Sequence, residues 1–96
     1  MACKIKWSLE AADQLEETCN YIARDSKVYA SIFAKRVISI VESVSLFPKS
    51  GRVVPEYNNK TIREKIFGSY RIIYRLKGEL VEIIAIYHGA RFIEEV

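Results

Sequence analysis

The sequence has few cysteines and few residues that interrupt regular structure. It contains two cysteines, two prolines and four glycines in 96 residues, and Cys3 and Cys19 lack the spacing of metal ligands. No apolar run approaches the roughly 18 residues that a membrane span requires. We therefore expect one cytoplasmic domain covering residues 1–96, with both thiols reduced and buried, and no metal or cofactor is indicated.

Positive charge is concentrated in one part of the chain. Residues 49–77 carry eight basic and two acidic side chains, a net charge of +6, whereas residues 1–48 are neutral and residues 78–96 carry a net charge of −3. A local cationic block of this kind suggests a surface for phosphates or for an acidic protein. A solvated face of a sheet is the simpler alternative, and composition alone slightly favours it.

Two amphipathic helices are predicted in the N-terminal half. Ser8 has the position of an N-cap, and Glu10 lies in the first turn, where a carboxylate suits the helix dipole. The first helix should run from about Leu9 to Arg24, and the second should end at Pro48. The second helix carries an apolar stripe at steps of three and four, formed by Ala30, Phe33, Val37, Ile40, Val44 and Phe47. We expect an antiparallel hairpin whose stripe packs against a sheet.

Four strands are predicted, one before the helices and three after them. The first is indicated by the alternation of Cys3, Ile5 and Trp7 with polar residues. The later three should form an antiparallel meander over Ile62–Ile66, Tyr70–Leu76 and Val81–Tyr87, after an irregular loop from Lys49 to Lys60. The predicted class is therefore α+β, with the N-terminal strand and the meander in one small sheet backed by the helical hairpin.

The strand Tyr70–Leu76 has two different faces. Its tyrosines, Ile72 and Leu76 share one face, which should contact the helices. The other face is shared by Arg71, Ile73 and Arg75, and we expect arginines to line it. In the preceding strand, Glu64 should point to the same face of the sheet as Ile62 and Ile66. Either a β-bulge turns this carboxylate away, or it pairs with a neighbouring arginine.

Three residues of the C-terminal half have the chemistry needed for phosphodiester cleavage by a neighbouring hydroxyl. Glu56 or His88 could exchange protons with the RNA, and the guanidinium of Arg71 could stabilise charge on phosphorus. Each residue also has a structural alternative: His88 could cap the last strand, Arg71 could stack on a ring such as that of Tyr87, and Glu56 could be a solvated loop carboxylate. Further candidates for binding phosphate or a partner are Arg63, Lys65, Arg75 and Arg91.

The order of the elements and several short strings resemble one known group of proteins. The strings are Ala11–Leu15, Tyr21–Ala23, Phe47–Arg52, Ile62–Glu64, Tyr70–Tyr74 and His88–Arg91. Together they resemble the ParE/RelE superfamily of toxins from type II toxin–antitoxin operons, also known as plasmid stabilisation proteins. The resemblance covers nearly the whole chain. It implies a toxin silenced by a cognate antitoxin, which would lay a helix and an extended segment over the hairpin and the sheet.

The resemblance implies one of two activities. In YoeB-like mRNA endonucleases, which act on the ribosome, the roles would fall on Glu56 as base, Arg71 as phosphate stabiliser and His88 as acid. Gly89 stands where a tyrosine is expected after that histidine, and no pair of catalytic lysines of the RelE type is matched. The resemblance therefore favours ParE-like inhibition of DNA gyrase over cleavage of mRNA, with the arginines serving binding or sheet architecture.

Overall fold

The structure is a computed structural model that describes residues 2–89, so the candidate cation Arg91 lies outside the described residues. Within this range the elements follow in the order β1 (Lys4–Trp7), α1 (Leu9–Ala23), α2 (Lys27–Leu46), β2 (Arg52–Val53), β3 (Ile62–Phe67), β4 (Tyr70–Lys77) and β5 (Leu80–His88). Both helices pack against one sheet. The predicted α+β class is confirmed.

The sheet has the strand order β1-β5-β4-β3-β2. Strands β3, β4 and β5 form the predicted antiparallel meander. Strand β1 pairs in parallel with β5, with Lys4 opposite Leu80. The predicted number of strands was one too low, because Arg52–Val53 pairs antiparallel with β3 inside the segment expected to be irregular. A two-residue strand is too short to show an alternating pattern.

Both helices begin at serine caps. The Ser8 hydroxyl accepts a hydrogen bond from the Ala11 N–H at 3.0 Å and donates to the Ile84 carbonyl at 3.3 Å, so it also ties α1 to the sheet. Ser26 accepts from the Tyr29 N–H at 3.1 Å at the start of α2. Both caps satisfy backbone donors that the first helical turn leaves open.

The helices end within two residues of the predicted positions. No helix within residues 2–89 is long and apolar enough to cross a membrane.

The main core lies between the helical hairpin and one face of the sheet. Helix α2 buries Ala30, Phe33, Val37, Val41 and Val44, and the sheet contributes Ile72, Tyr74, Val81, Ile83 and Ile86. Most of the predicted stripe is therefore confirmed, with Ile40 packed at the edge of the core. Phe47 is the exception, since it lies at the C-cap after the last helical residue and is 67 % exposed.

A second, smaller core covers the opposite face of the sheet. It is formed by Val54, Ile62, Ile73 and Ala85, with Tyr57 packed against it. The Val54 N–H donates to the Ile62 carbonyl at 3.1 Å, which holds the start of the loop 54–61 on β3. This face was expected to be a row of arginines. The correction is that apolar residues fill much of it, because the loop excludes water from the middle of the sheet.

Candidate functional site

Two arginines and two glutamates form a continuous ion-pair network at the end of this second face. The Arg71 Nε donates to Glu64 Oε1 at 2.5 Å, and its Nη1 and Nη2 donate to the two oxygens of Glu56 at 2.7 and 2.9 Å. The Arg52 Nε donates to the other Glu64 oxygen at 2.5 Å. Positive and negative groups alternate, so the network is neutral as a whole. All three nitrogens of the Arg71 guanidinium are engaged.

The members of the network differ in burial. The Glu64 side chain is fully buried and that of Arg71 is 9 % exposed, whereas the Glu56 and Arg52 side chains are 36 % and 62 % exposed. Strands β3 and β4 pair without a register shift over their described residues. Glu64 therefore faces inward with its apolar neighbours and pairs with arginines there. Ion pairing with arginines, and not a β-bulge, therefore explains how this carboxylate can lie on the same face as its apolar neighbours.

Electrostatics keep Glu56 ionised. Hydrogen bonds from Arg71 lower the pKa of Glu56 from 4.5 to about 2, outweighing the opposing effect of burial. Glu56, and secondarily Glu64, raise the pKa of Arg71. A carboxylate with a pKa of about 2 has little affinity for a proton at neutral pH. In this arrangement Glu56 is suited to holding the guanidinium and is a weak general base.

His88 lies on the other side of the sheet from this network. Its ring meets that of Tyr70 edge-on, with the centroids 5.3 Å apart, and the two residues are cross-strand partners. Arg71 is instead opposite Tyr87. Successive side chains of a strand point to opposite faces, and directly opposed residues share a face. The structure therefore brings Glu56 and Arg71 together and places His88 apart from them.

Arg63 holds the two ends of the loop between α2 and β3. Its Nη1 donates to the carbonyls of Gly51 at 2.9 Å and Lys49 at 3.4 Å, and its Nε donates to the Lys60 carbonyl at 3.1 Å. These bonds satisfy carbonyls that no strand partner reaches. Among the candidate cations, Arg63 thus has an architectural role in the described structure.

The same loop is anchored from inside by Tyr74, a role that sequence reasoning missed. The buried Tyr74 hydroxyl accepts from the Gly51 N–H at 2.9 Å and donates to the Pro48 carbonyl at 2.7 Å. Burial raises the pKa of Tyr74. A Cβ on Gly51 would lie 2.5 Å from both the Tyr74 hydroxyl and the Glu64 carbonyl oxygen. The only sequence signal was the Pro-Lys-Ser-Gly-Arg string, whose glycine has no room for a side chain.

The remaining candidate cations have no partner in the described structure. Arg75 and Lys65 are half-buried, and neither side chain forms a hydrogen bond or an ion pair with another residue of the range 2–89. Lys65 is opposite Ile72 and lies on the helix face at the sheet edge. Arg75 lies on the second face, beside a cavity that also contains Tyr57 and Tyr87.

Sequence comparison places the chain among toxins. Residues 5–92 match the family described as ParE toxin of type II toxin-antitoxin system, parDE. The chain is 31 % identical over 88 residues to "Putative toxin Y4kP" of Sinorhizobium fredii (strain NBRC 101917 / NGR234), which covers 90 % of this chain and 88 % of that protein. Both matches extend over nearly the whole length of the chain.

Solved structures share the fold. One is the chromosomal ParDE toxin–antitoxin system from P. aeruginosa, with a TM-score of 0.74 and 18 % identity, covering 91 % of this chain and 96 % of that one. Another is the toxin–antitoxin complex RelBE2 from Mycobacterium tuberculosis, with a TM-score of 0.65 and 17 % identity, covering 92 % of this chain and 99 % of that one. The likeness at these identities concerns the arrangement of helices and strands.

Proposed function

The chain belongs to the ParE toxin family of type II toxin–antitoxin systems, and we propose that it inhibits DNA gyrase by binding to it. A cognate antitoxin would neutralise it in the cell. The family and the solved toxin–antitoxin relatives support this pairing. Gyrase inhibition by binding requires no general acid or base, so it is compatible with ion pairs that serve architecture.

The observation that carries the proposal is that the three residues required for the competing activity, RNA cleavage, do not lie together. Cleavage by a 2′-hydroxyl requires a base, a phosphate stabiliser and an acid around one phosphorus atom. Glu56 has a pKa of about 2, and Arg71 is engaged by two carboxylates. His88 lies on the opposite face of the sheet, beside Tyr70. These positions favour binding over RNA cleavage.

The helical hairpin offers a surface for the proposed antitoxin. Its exposed apolar side chains include Tyr21, Val28, Tyr29 and Ile32. A groove between the hairpin and the β3–β4 turn is lined by Ile22, Phe33, Arg36, Phe67 and Tyr70, among others. Exposed apolar patches of this kind mark protein interaction sites. The antitoxin would cover them and keep the toxin silent.

A supercoiling assay tests the proposed target. Purified toxin in molar excess should abolish supercoiling by gyrase, and added antitoxin should restore it. His88→Ala should inhibit as well as the wild type, because this exposed side chain has no chemical role in binding-type inhibition. Unimpaired supercoiling at high excess of folded toxin would refute the proposal.

The alternative is a ribosome-dependent mRNA endonuclease that uses Glu56, Arg71 and His88. The contact between Glu56 and Arg71 is the one observation that supports it. Pulse-labelling after induction without antitoxin separates the two activities. Gyrase inhibition predicts early loss of thymidine incorporation while methionine incorporation continues. The endonuclease would instead be established by two results together: methionine incorporation collapses early with the wild type, and it continues with His88→Ala.

A further inference from the structure

A cavity of about 380 Å³ opens on the second face of the sheet, between the loop 57–59, strands β4 and β5, and the start of α1. Its apolar lining includes Ile62, Ile84 and Ala85, together with the half-buried rings of Tyr57 and Tyr87. Ile84 is left without a β4 partner by the register shift between β4 and β5. The volume falls in the range of roughly 300–1,000 Å³ that is usual for ligand sites.

Three hydrogen-bond donors in the lining of this cavity have no acceptor among residues 2–89. The Arg75 guanidinium and the Tyr87 hydroxyl make no hydrogen bond to another residue within 2–89. Asn59 uses its Oδ1 to accept from the Thr61 N–H and hydroxyl, at 2.9 and 2.7 Å, and its amide nitrogen makes no hydrogen bond within the described range. A half-buried guanidinium is stabilised by an anion that accepts from two of its nitrogens at once.

The surrounding charges select the kind of anion. Glu10 lines the same cavity, and Glu82 is the cross-strand partner of Arg75, with its carboxylate 3.9 Å from Lys77 Nζ. Two carboxylates near one guanidinium disfavour a doubly charged phosphate. They tolerate a single carboxylate, and Glu10 can accept from an N–H group beside it. A peptide supplies both a side-chain carboxylate and a backbone N–H within one or two residues.

We propose that this cavity binds an acidic peptide segment of a partner protein. One carboxylate of the segment lies on the guanidinium of Arg75, and an adjacent apolar side chain packs against the rings of Tyr57 and Tyr87. A backbone N–H of the segment donates to Glu10. The site uses none of the side chains of the Arg71 network, and its occupancy can be measured without gyrase.

The test is an NMR titration of the ¹⁵N-labelled full chain with two capped peptides, acetyl-Leu-Asp-Leu-amide and acetyl-Leu-Asn-Leu-amide. The aspartyl peptide should shift the signals of the Arg75 Nε–H and the Asn59 amide group and saturate them. The asparaginyl peptide should bind at least about tenfold more weakly, because it lacks the charge that the guanidinium recognises. Equal binding of the two peptides would overturn the proposal.

Two variants with the same net charge locate the site. Arg75→Gln should abolish saturable binding, whereas Lys35→Gln, which removes an exposed cation of α2, should leave it unchanged. Equal weakening by both variants would mean attraction to net charge alone and would refute the site. If Arg75→Gln does not fold, Arg75→Lys replaces it. This variant should bind the aspartyl peptide several-fold more weakly than the wild type does, and wild-type affinity would refute the site. Tighter binding of uridine monophosphate than of the aspartyl peptide would also contradict the assignment.

Discussion

Replacing Glu56 by glutamine should destabilise the protein at neutral pH. Glutamine has the same size and can still accept from Arg71, but it has no charge to offset the buried guanidinium. The substitution therefore isolates the ionic part of the contact that joins the loop 54–61 to β4. Glu64 would remain as the other partner of Arg71.

The magnitude follows from the linkage between ionisation and folding. Lowering the Glu56 pKa from 4.5 to about 2 sets an upper bound of about 3 kcal/mol on its contribution to stability. Because 36 % of this side chain is exposed, solvent screening reduces the expected loss to about 1–2 kcal/mol. The folded-state pKa is the lower one, so the contribution is complete above pH 4.5 and is lost as the pH falls towards 2.

Urea titrations at pH 7 and pH 3 measure the effect. The difference in free energy of unfolding between wild type and Glu56→Gln should be about 1–2 kcal/mol at pH 7 and clearly smaller at pH 3. The control is Glu42→Gln, on the exposed side of α2, which should change stability by less than about 0.5 kcal/mol at pH 7. A Glu56→Gln difference that is equal at both pH values would refute the electrostatic reasoning.

Four further substitutions test the packing. Phe33→Ala should cost about 3–5 kcal/mol in a urea titration, because this ring is buried between α2 and the sheet, whereas Phe47→Ala should cost less than about 1 kcal/mol. Tyr74→Phe should cost about 1–3 kcal/mol, since it leaves the Gly51 N–H without its acceptor; an unchanged melting temperature would contradict that role. Gly51→Ala should lower the melting temperature by more than Tyr74→Phe does, because its Cβ would meet the Glu64 backbone.

Part of the candidate site was accessible from the sequence. Glu56 and Arg71 were identified as a functional pair by residue type, and they do contact each other. The contribution of Arg52 was missed, because a cation on a two-residue strand carries no periodic signal. The separation of His88 was also missed, since it depends on which residues of β4 and β5 lie opposite one another, and a one-residue change in register would reverse the face.

The sequence by itself determined the local structure and the family. Ser8 as a cap, the stripe around Phe33 and the turns of the meander depend on neighbours within a few residues, so their patterns are readable along the chain. The ordered strings added the family, which residues 5–92 match.

Only the tertiary structure decided the sheet order and the chemistry of the second face. The parallel pairing of β1 with β5 joins residues more than seventy positions apart, and no local pattern encodes a contact of that range. In the sequence, Glu64 is a charged residue at a position that should be apolar. In the folded chain, Arg71 and Arg52 each pair with one of its two oxygens. The cost of burying a carboxylate is offset by those partners, and the folded chain alone determines where they lie.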